Sequence, residues 1–179
     1  MSTVNMLIAG FGGQGSLFAG KFLAYKGLIE DKEVSWLPSY GPEMRGGTAN
    51  CSVIVSDDSV GSPIVNNPDV LVALNLPSLD KFEPNVVAGG DIFLDSTLIA
   101  RKVERTDVNA HYIPATRLAE ENKLGNLANM VMMGYVMKIK GMYDEASIDK
   151  ALDKVVPPSK PQLREPNLKA LMAGMEYSE

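Results

Sequence analysis

Val4-Asn5-Met6-Leu7-Ile8-Ala9-Gly10-Phe11-Gly12-Gly13-Gln14-Gly15 is the stretch that decides the fold. Residues 4–9 form a short apolar run that stops at glycines, the pattern of a buried strand. Residues 10–15 read as a turn. From residue 14 to residue 29, apolar side chains recur at Leu17, Phe18, Phe22, Leu23 and Leu28, the spacing of one helix face, with Gly27 loosening the last turn. A strand, a glycine turn and a helix in succession open an α/β unit.

The pattern continues outward from there. Residues 33–37, with Val34 and Trp36 two apart, predict a second strand, and residues 48–57 a third. Further strands are expected around Val70-Leu71-Val72-Ala73-Leu74, at 91–94 and at 108–113. Helical segments follow at 78–82, 116–123, 126–140, 144–155 and 166–177, and Pro157, Pro158 and Pro161 interrupt the last two. The connection at 38–47 is too short for a helical crossover, which takes about a dozen residues. The third strand therefore runs antiparallel to the second or lies outside the main sheet. The expected architecture is α/β: a three-layer, Rossmann-like single domain over 1–179, mostly parallel with at least one antiparallel strand, closed by a helical segment at about 144–179.

Bulk properties narrow the function. The chain has 179 residues, 45% apolar and 22% charged, and a net charge of -5. That charge offers no general attraction to nucleic acid or to an anionic membrane. No run reaches the ~18 apolar residues of a membrane span, and residues 1–15 read as structure rather than as a signal segment. Cys51 is the only cysteine, so the chain makes no internal disulfide and cannot hold an iron–sulfur cluster or structural zinc alone. A cytoplasmic protein fits best. Cys51 reads as a small buried strand residue. A hydrolase triad would depend entirely on the single histidine, His111, which reads as structural.

Gly10, Gly12, Gly13, Gln14 and Gly15 match G-x-G-x-x-G between a strand and a helix. Glycines permit positive φ and close approach, and the following helix presents free N–H groups. Either a phosphate or carboxylate binds there, or the turn packs the helix on the sheet with no ligand. A dinucleotide would also need an acid at the carboxyl end of strand two. Asp31 and Glu33 precede that strand instead, and its end reads Leu37-Pro38-Ser39-Tyr40, which disfavours NAD or FAD.

The segment Ser39-Tyr40-Gly41-Pro42-Glu43-Met44-Arg45-Gly46-Gly47 is the most specific feature of the chain. Its Gly-Pro and Gly-Gly pairs bend the backbone around Glu43, Met44 and Arg45. Strands one and two are expected to be parallel, so both glycine-rich loops leave the carboxyl edge, where open α/β sheets bind ligands. Arg45 can grip a carboxylate or phosphate, or pair with Glu43 or a partner subunit. Tyr40 is a packing residue or an interface anchor, and Ser39 a hydroxyl donor or a turn serine.

Taken together, residues 9–15 and 39–49 resemble the gamma subunit of 2-oxoacid:ferredoxin oxidoreductases, and residues 67–75 are similar to that family's next strand. The forms Gly-Gly-Gln-Gly and Ser-Tyr-Gly-Pro-Glu-Met-Arg-Gly-Gly look more like 2-oxoglutarate or branched-chain 2-oxoacid members than pyruvate members. The resemblance implies a multi-subunit enzyme that decarboxylates a 2-oxoacid on thiamine diphosphate. It passes electrons through 4Fe–4S clusters to ferredoxin and gives the acyl group to coenzyme A. Thiamine diphosphate and magnesium are then held by alpha and beta chains, and clusters by beta and a small delta chain. Such a subunit carries no catalytic residue and no metal of its own, and alone it is inactive. Ser39, Tyr40, Glu43 and Arg45 become candidates for the mouth that admits 2-oxoacid or coenzyme A. Two other readings stay open: an assembly subunit with an empty glycine turn, and an independent nucleotide-binding protein. Met130, Met132, Met133 and Met137 are expected in the core or against a partner, Asp95 as a cap or at the ligand edge, and residues 176–179 as a frayed tail.

Overall fold

The computed structural model describes residues 3–40 and 48–179. Strand β1 spans Thr3–Phe11 and leads through the glycine turn into helix α1, Ser16–Ile29. Strands β2, Glu33–Tyr40, and β3, Thr48–Ser56, follow, then β4, Val70–Ala73, and helix α2, Leu76–Phe82. After β5, Asp91–Asp95, and β6, Asn109–Ile113, the chain is helical: α3, Ala115–Glu121; α4, Ala128–Lys140; α5, Glu145–Val155; and α6, Arg164–Glu176.

The six strands form one sheet in the order β2-β3-β1-β4-β5-β6. Strands β1, β4, β5 and β6 are mutually parallel, while β3 runs antiparallel to both β1 and β2. The short 38–47 connection thus has the predicted consequence, and β2 points the same way as β1. Strand β2 also runs past Leu37, through Pro38, which faces Cys51 in the register. An edge strand tolerates a proline because one side of its ladder needs no N–H.

Both faces of β1 are covered, which is why it reads as a continuous apolar run. Met6 and Ile8 point into the larger core with Phe22 of α1, Met133 of α4, Leu152 of α5 and Leu171 of α6. Leu7 points into the smaller core with Leu79 of α2, Ile92 and Leu94. The three layers are therefore unequal, with five helices on one side of the sheet and chiefly α2 on the other.

Close approach sets how the larger layer packs. A Cβ at Gly20 would stand 2.3 Å from Cys51 Sγ, and one at Gly27 2.9 Å from Val34 Cγ2. Gly27 thus lets α1 lie down on the sheet rather than loosening its last turn, and α1 continues to Ile29. Helices α4 and α6 touch backbone to backbone, since a Cβ at Gly174 would fall 1.8 Å from Val131 O. Met130, Met132, Met133 and Met137 are all buried in that layer. The Lys26 ammonium, also buried, pairs with Glu30, whose Oε1 accepts from Ser147 Oγ at 2.7 Å and ties α1 to α5.

The amino edge is closed by matched charges. Asp91 opens β5, and its carboxylate accepts from Lys140 Nζ at 2.7 Å and meets His111 Nε2 at 2.8 Å. Burial alone would raise the Asp91 pKa, but the hydrogen bonds from Lys140 and His111 outweigh it and hold the carboxyl below its usual range. His111 stacks on Phe93 with ring centroids 4.5 Å apart, a structural setting far from the glycine turn. The C-terminal residues are not frayed as expected. Glu179 Oε1 accepts from Tyr112 N at 3.0 Å and from Tyr135 Oη at 3.2 Å, and Tyr177 packs edge-on against Tyr135. Burial first, and the Glu179 carboxylate second, push the Tyr135 hydroxyl up to about 12.

Candidate functional site

The parallel strands reverse their order of connection between β1 and β4, the point at which doubly wound sheets open a crevice at their carboxyl ends. Gly12, Gly13 and Gln14 line a cleft of about 490 Å³ there, with Asp95 from the end of β5 and Glu120 and Asn129 from α3 and α4.

Each wall is built by local chemistry. Gly13 (φ 95°) and Gly15 (φ 78°) sit in the left-handed region, which explains two glycines of the motif. Gly10 is required by packing, since a Cβ would stand 2.7 Å from Gln14 Oε1 and 3.1 Å from Leu74 Cβ. The Gln14 carboxamide folds back over the strand ends. Its Oε1 accepts from Phe11 N at 2.6 Å and from Asn75 Nδ2 at 3.2 Å, and its Nε2 donates to Leu74 O at 2.9 Å. Gln14 N donates to Phe11 O at 3.1 Å, closing the turn. Asn75 Oδ1 in turn accepts from Ser78 N at 2.8 Å as the cap of α2. One side chain thus couples the ends of β1 and β4 to the start of α2. Helix α1 has no side-chain cap at Gly15, so its first turn keeps N–H groups unclaimed by a capping side chain.

Asp95 fills both roles considered for it. Its Oδ1 accepts from Thr97 N at 3.0 Å and its Oδ2 from Thr116 N and Oγ1 at 3.1 and 2.6 Å, and it also lines the cleft. Asn129 Nδ2 donates to Gly15 O at 3.0 Å. Nothing local in the sequence pointed to Asn129, because helix α4 reads as an apolar core helix, or to Glu120, one of two adjacent exposed acids on α3. Pro77, which marks the first turn of α2, is the signal by which Asn75 was findable as a cap.

Of the predicted residues, Gly10, Gly12, Gly13, Gln14 and Gly15 come together at the cleft. Ser39 is exposed and pairs with Asn50 of β3. The Tyr40 backbone pairs with Ala49. Glu43 and Arg45 lie outside the described residues. The register nevertheless fixes both ends of their segment, because Thr48 is the partner of Phe11 across β3–β1 and Ala49 the partner of Tyr40. The glycine turn and the ends of the 41–47 segment therefore share one rim. The acid expected of a dinucleotide site is at the other edge, since Glu33 opens β2 opposite Ser56.

The side chains of this chain do not make a cluster site. Cys51 is buried in β3 and donates to Ser16 O at 3.4 Å. Burial pushes its thiol up to about 12, whereas clusters are held by thiolates. No group of three His, Cys, Asp or Glu suited to a metal ion occurs among the described residues, and no described helix is long and apolar enough to cross a membrane.

A doubly wound sheet with one reversed strand and a glycine-turn cleft at its switch point defines a Rossmann-like α/β domain, and comparison with known proteins supplies the family. Residues 5–177 match the pyruvate ferredoxin/flavodoxin oxidoreductase family, and the chain belongs to it. It is 44% identical to ketoisovalerate oxidoreductase subunit VorA of Methanothermobacter thermautotrophicus over 98% of this chain and 36% of that one. It is 37% identical to 2-oxoglutarate synthase subunit KorC of Methanocaldococcus jannaschii over 96% of this chain and 92% of that one. The chain thus spans about a third of the length of the VorA relatives and nearly all of the KorC one. The crystal structure of a keto/oxoacid ferredoxin oxidoreductase gamma subunit from Geobacter sulfurreducens superposes with a TM-score of 0.80 at 29% identity, covering 98% of this chain and 96% of that one.

Proposed function

We propose that this chain is the gamma subunit of a cytoplasmic 2-oxoacid:ferredoxin oxidoreductase and that its rim faces the mouth of the active site. The assembled enzyme decarboxylates a 2-oxoacid oxidatively, delivers the acyl group to coenzyme A and sends electrons to ferredoxin. Alpha, beta and delta chains hold the thiamine diphosphate, magnesium and 4Fe–4S clusters, and the isolated gamma chain is inactive. A 2-oxoglutarate or branched-chain substrate is favoured by relatives that are named for 2-oxoglutarate and ketoisovalerate.

The observation that carries this reading is the shared rim: Phe11 beside Thr48 and Tyr40 beside Ala49, with the cleft next to them. Ser39, Tyr40, Glu43 and Arg45 contact 2-oxoacid or coenzyme A from the rim, and the uncapped first turn of α1 with the glycine turn offers N–H groups to an anionic part of the ligand. Co-purification with partner chains, followed by iron analysis and assay against several 2-oxoacids, tests the assembly. In the assembled complex Arg45→Ala should lower kcat/KM for one of the two substrates by about tenfold or more, the scale of a lost charged hydrogen bond. Unchanged kinetics for both would remove Arg45 from the mouth.

A further inference from the structure

The glycine turn is pinched twice at one place. Gln14 N donates to Phe11 O at 3.1 Å, and Phe11 N donates back to Gln14 Oε1 at 2.6 Å. Between these bonds lie Gly12 and Gly13, both exposed and both on the cleft lining. A Cβ at Gly13 would meet nothing within 4 Å, so no close packing holds that residue at φ 95°. Glycine has the most backbone freedom to lose, so an exposed pair keeps one arrangement only when its flanks are tied. The far end of the tie is rigid. Gln14 Oε1 also accepts from Asn75 Nδ2 at 3.2 Å, and Nε2 donates to Leu74 O at 2.9 Å. Leu74 and Asn75 are buried, and Asn75 caps α2 through Ser78 N. Only a carboxamide serves here, accepting from two N–H groups and donating to a carbonyl. Gly10 makes the room, because a Cβ there would stand 2.7 Å from Oε1.

We propose that Gln14 is a positioning residue for the reaction of the assembled enzyme. It sets the backbone of Gly12 and Gly13 before a ligand arrives, so binding does not have to order two glycines. Both ends of its carboxamide are engaged by the protein, so Gln14 acts through these neighbours and not on the reacting atoms. The proposal rests on the rim facing the active-site mouth, and the kinetic test below separates its failure from the failure of that reading.

Amide exchange and kinetics test it together. In the native full chain the Phe11 amide should exchange about tenfold or more slowly than those of Gly12 and Gly13. Gln14→Ala should remove that protection. In the assembled complex it should raise KM for 2-oxoacid or coenzyme A by about three- to tenfold, the scale of one neutral hydrogen bond. The kcat should stay within about twofold, the pattern of lost binding shared by ground and transition states. Gln14→Met fills the space without hydrogen bonds and should behave as Gln14→Ala does. An unprotected Phe11 amide in the native chain overturns the proposal before any variant is made. Native KM values in Gln14→Ala, or a fall in kcat alone, also overturn it. So does a native KM in Gln14→Met beside a raised one in Gln14→Ala, which would make the role one of packing. If Arg45→Ala lowers kcat/KM while Gln14→Ala leaves it unchanged, only Gln14 loses its role. If neither variant changes it, the rim reading falls as well.

Discussion

The two edges of the sheet differ in how completely their polar groups are matched. At the amino edge Asp91 meets Lys140 and His111, so the described groups there satisfy one another. At the carboxyl edge Asn129 keeps an orphaned acceptor and α1 an uncapped first turn. Both edges carry buried polar side chains, so polarity alone does not separate structure from function. Nor does matching alone, since Trp36 Nε1, Ser78 Oγ and Asn167 Oδ1 also lack partners away from the cleft lining; what the comparison shows is where each edge is tied and where it is not.

Substitutions can break this contrast, and the largest effect is expected at the carboxyl edge itself. Gly15→Ala places a Cβ 2.4 Å from Asn129 Nδ2 at φ 78°, and should cost about 2–4 kcal/mol in chemical unfolding through steric and backbone strain together. Asp91→Asn leaves Lys140 without its carboxylate. It should cost about 1–3 kcal/mol, below the range for fully buried pairs because the site is partly wet. The same carboxyl gives a pH signature. Its folded pKa is depressed, so its contribution is present above the unfolded value of about 4 and is lost as pH falls through the folded one. Acid titrations of stability should show this loss in the native sequence and not in Asp91→Asn. Glu179→Ala releases Tyr112 N and should cost about 1 kcal/mol. Glu120→Gln sharpens the comparison from the other end, changing stability in chemical unfolding by less than about 0.5 kcal/mol because the position is exposed.

Much of the architecture was legible in the sequence because it is written locally. The apolar run 4–9 and the glycines after it specify β1 and the turn, and the shortness of 38–47 specifies the reversal of β3. Helix α4 was legible from its methionines because it is buried nearly all round. What stayed hidden depends on residues that meet only after folding. Asn129 touches Gly15 across 114 positions, and Glu179 touches Tyr112 across 67. No periodicity encodes such a pair. The extension of β2 through Pro38 was missed for a related reason, since a proline is compatible with a strand only when that strand is an edge, which is a property of the whole sheet.

The reversed strand has a consequence of scale. With β3 lying between β1 and β2, Tyr40 at the end of β2 stands two lateral spacings of ~4.8 Å, about 10 Å, from the end of β1, whereas Thr48 at the start of β3 is the direct neighbour of Phe11. The single reversal therefore returns the chain to within one strand spacing of the glycine turn. A slip in the β2–β3 register would be felt at Phe11 without any change in β1 itself.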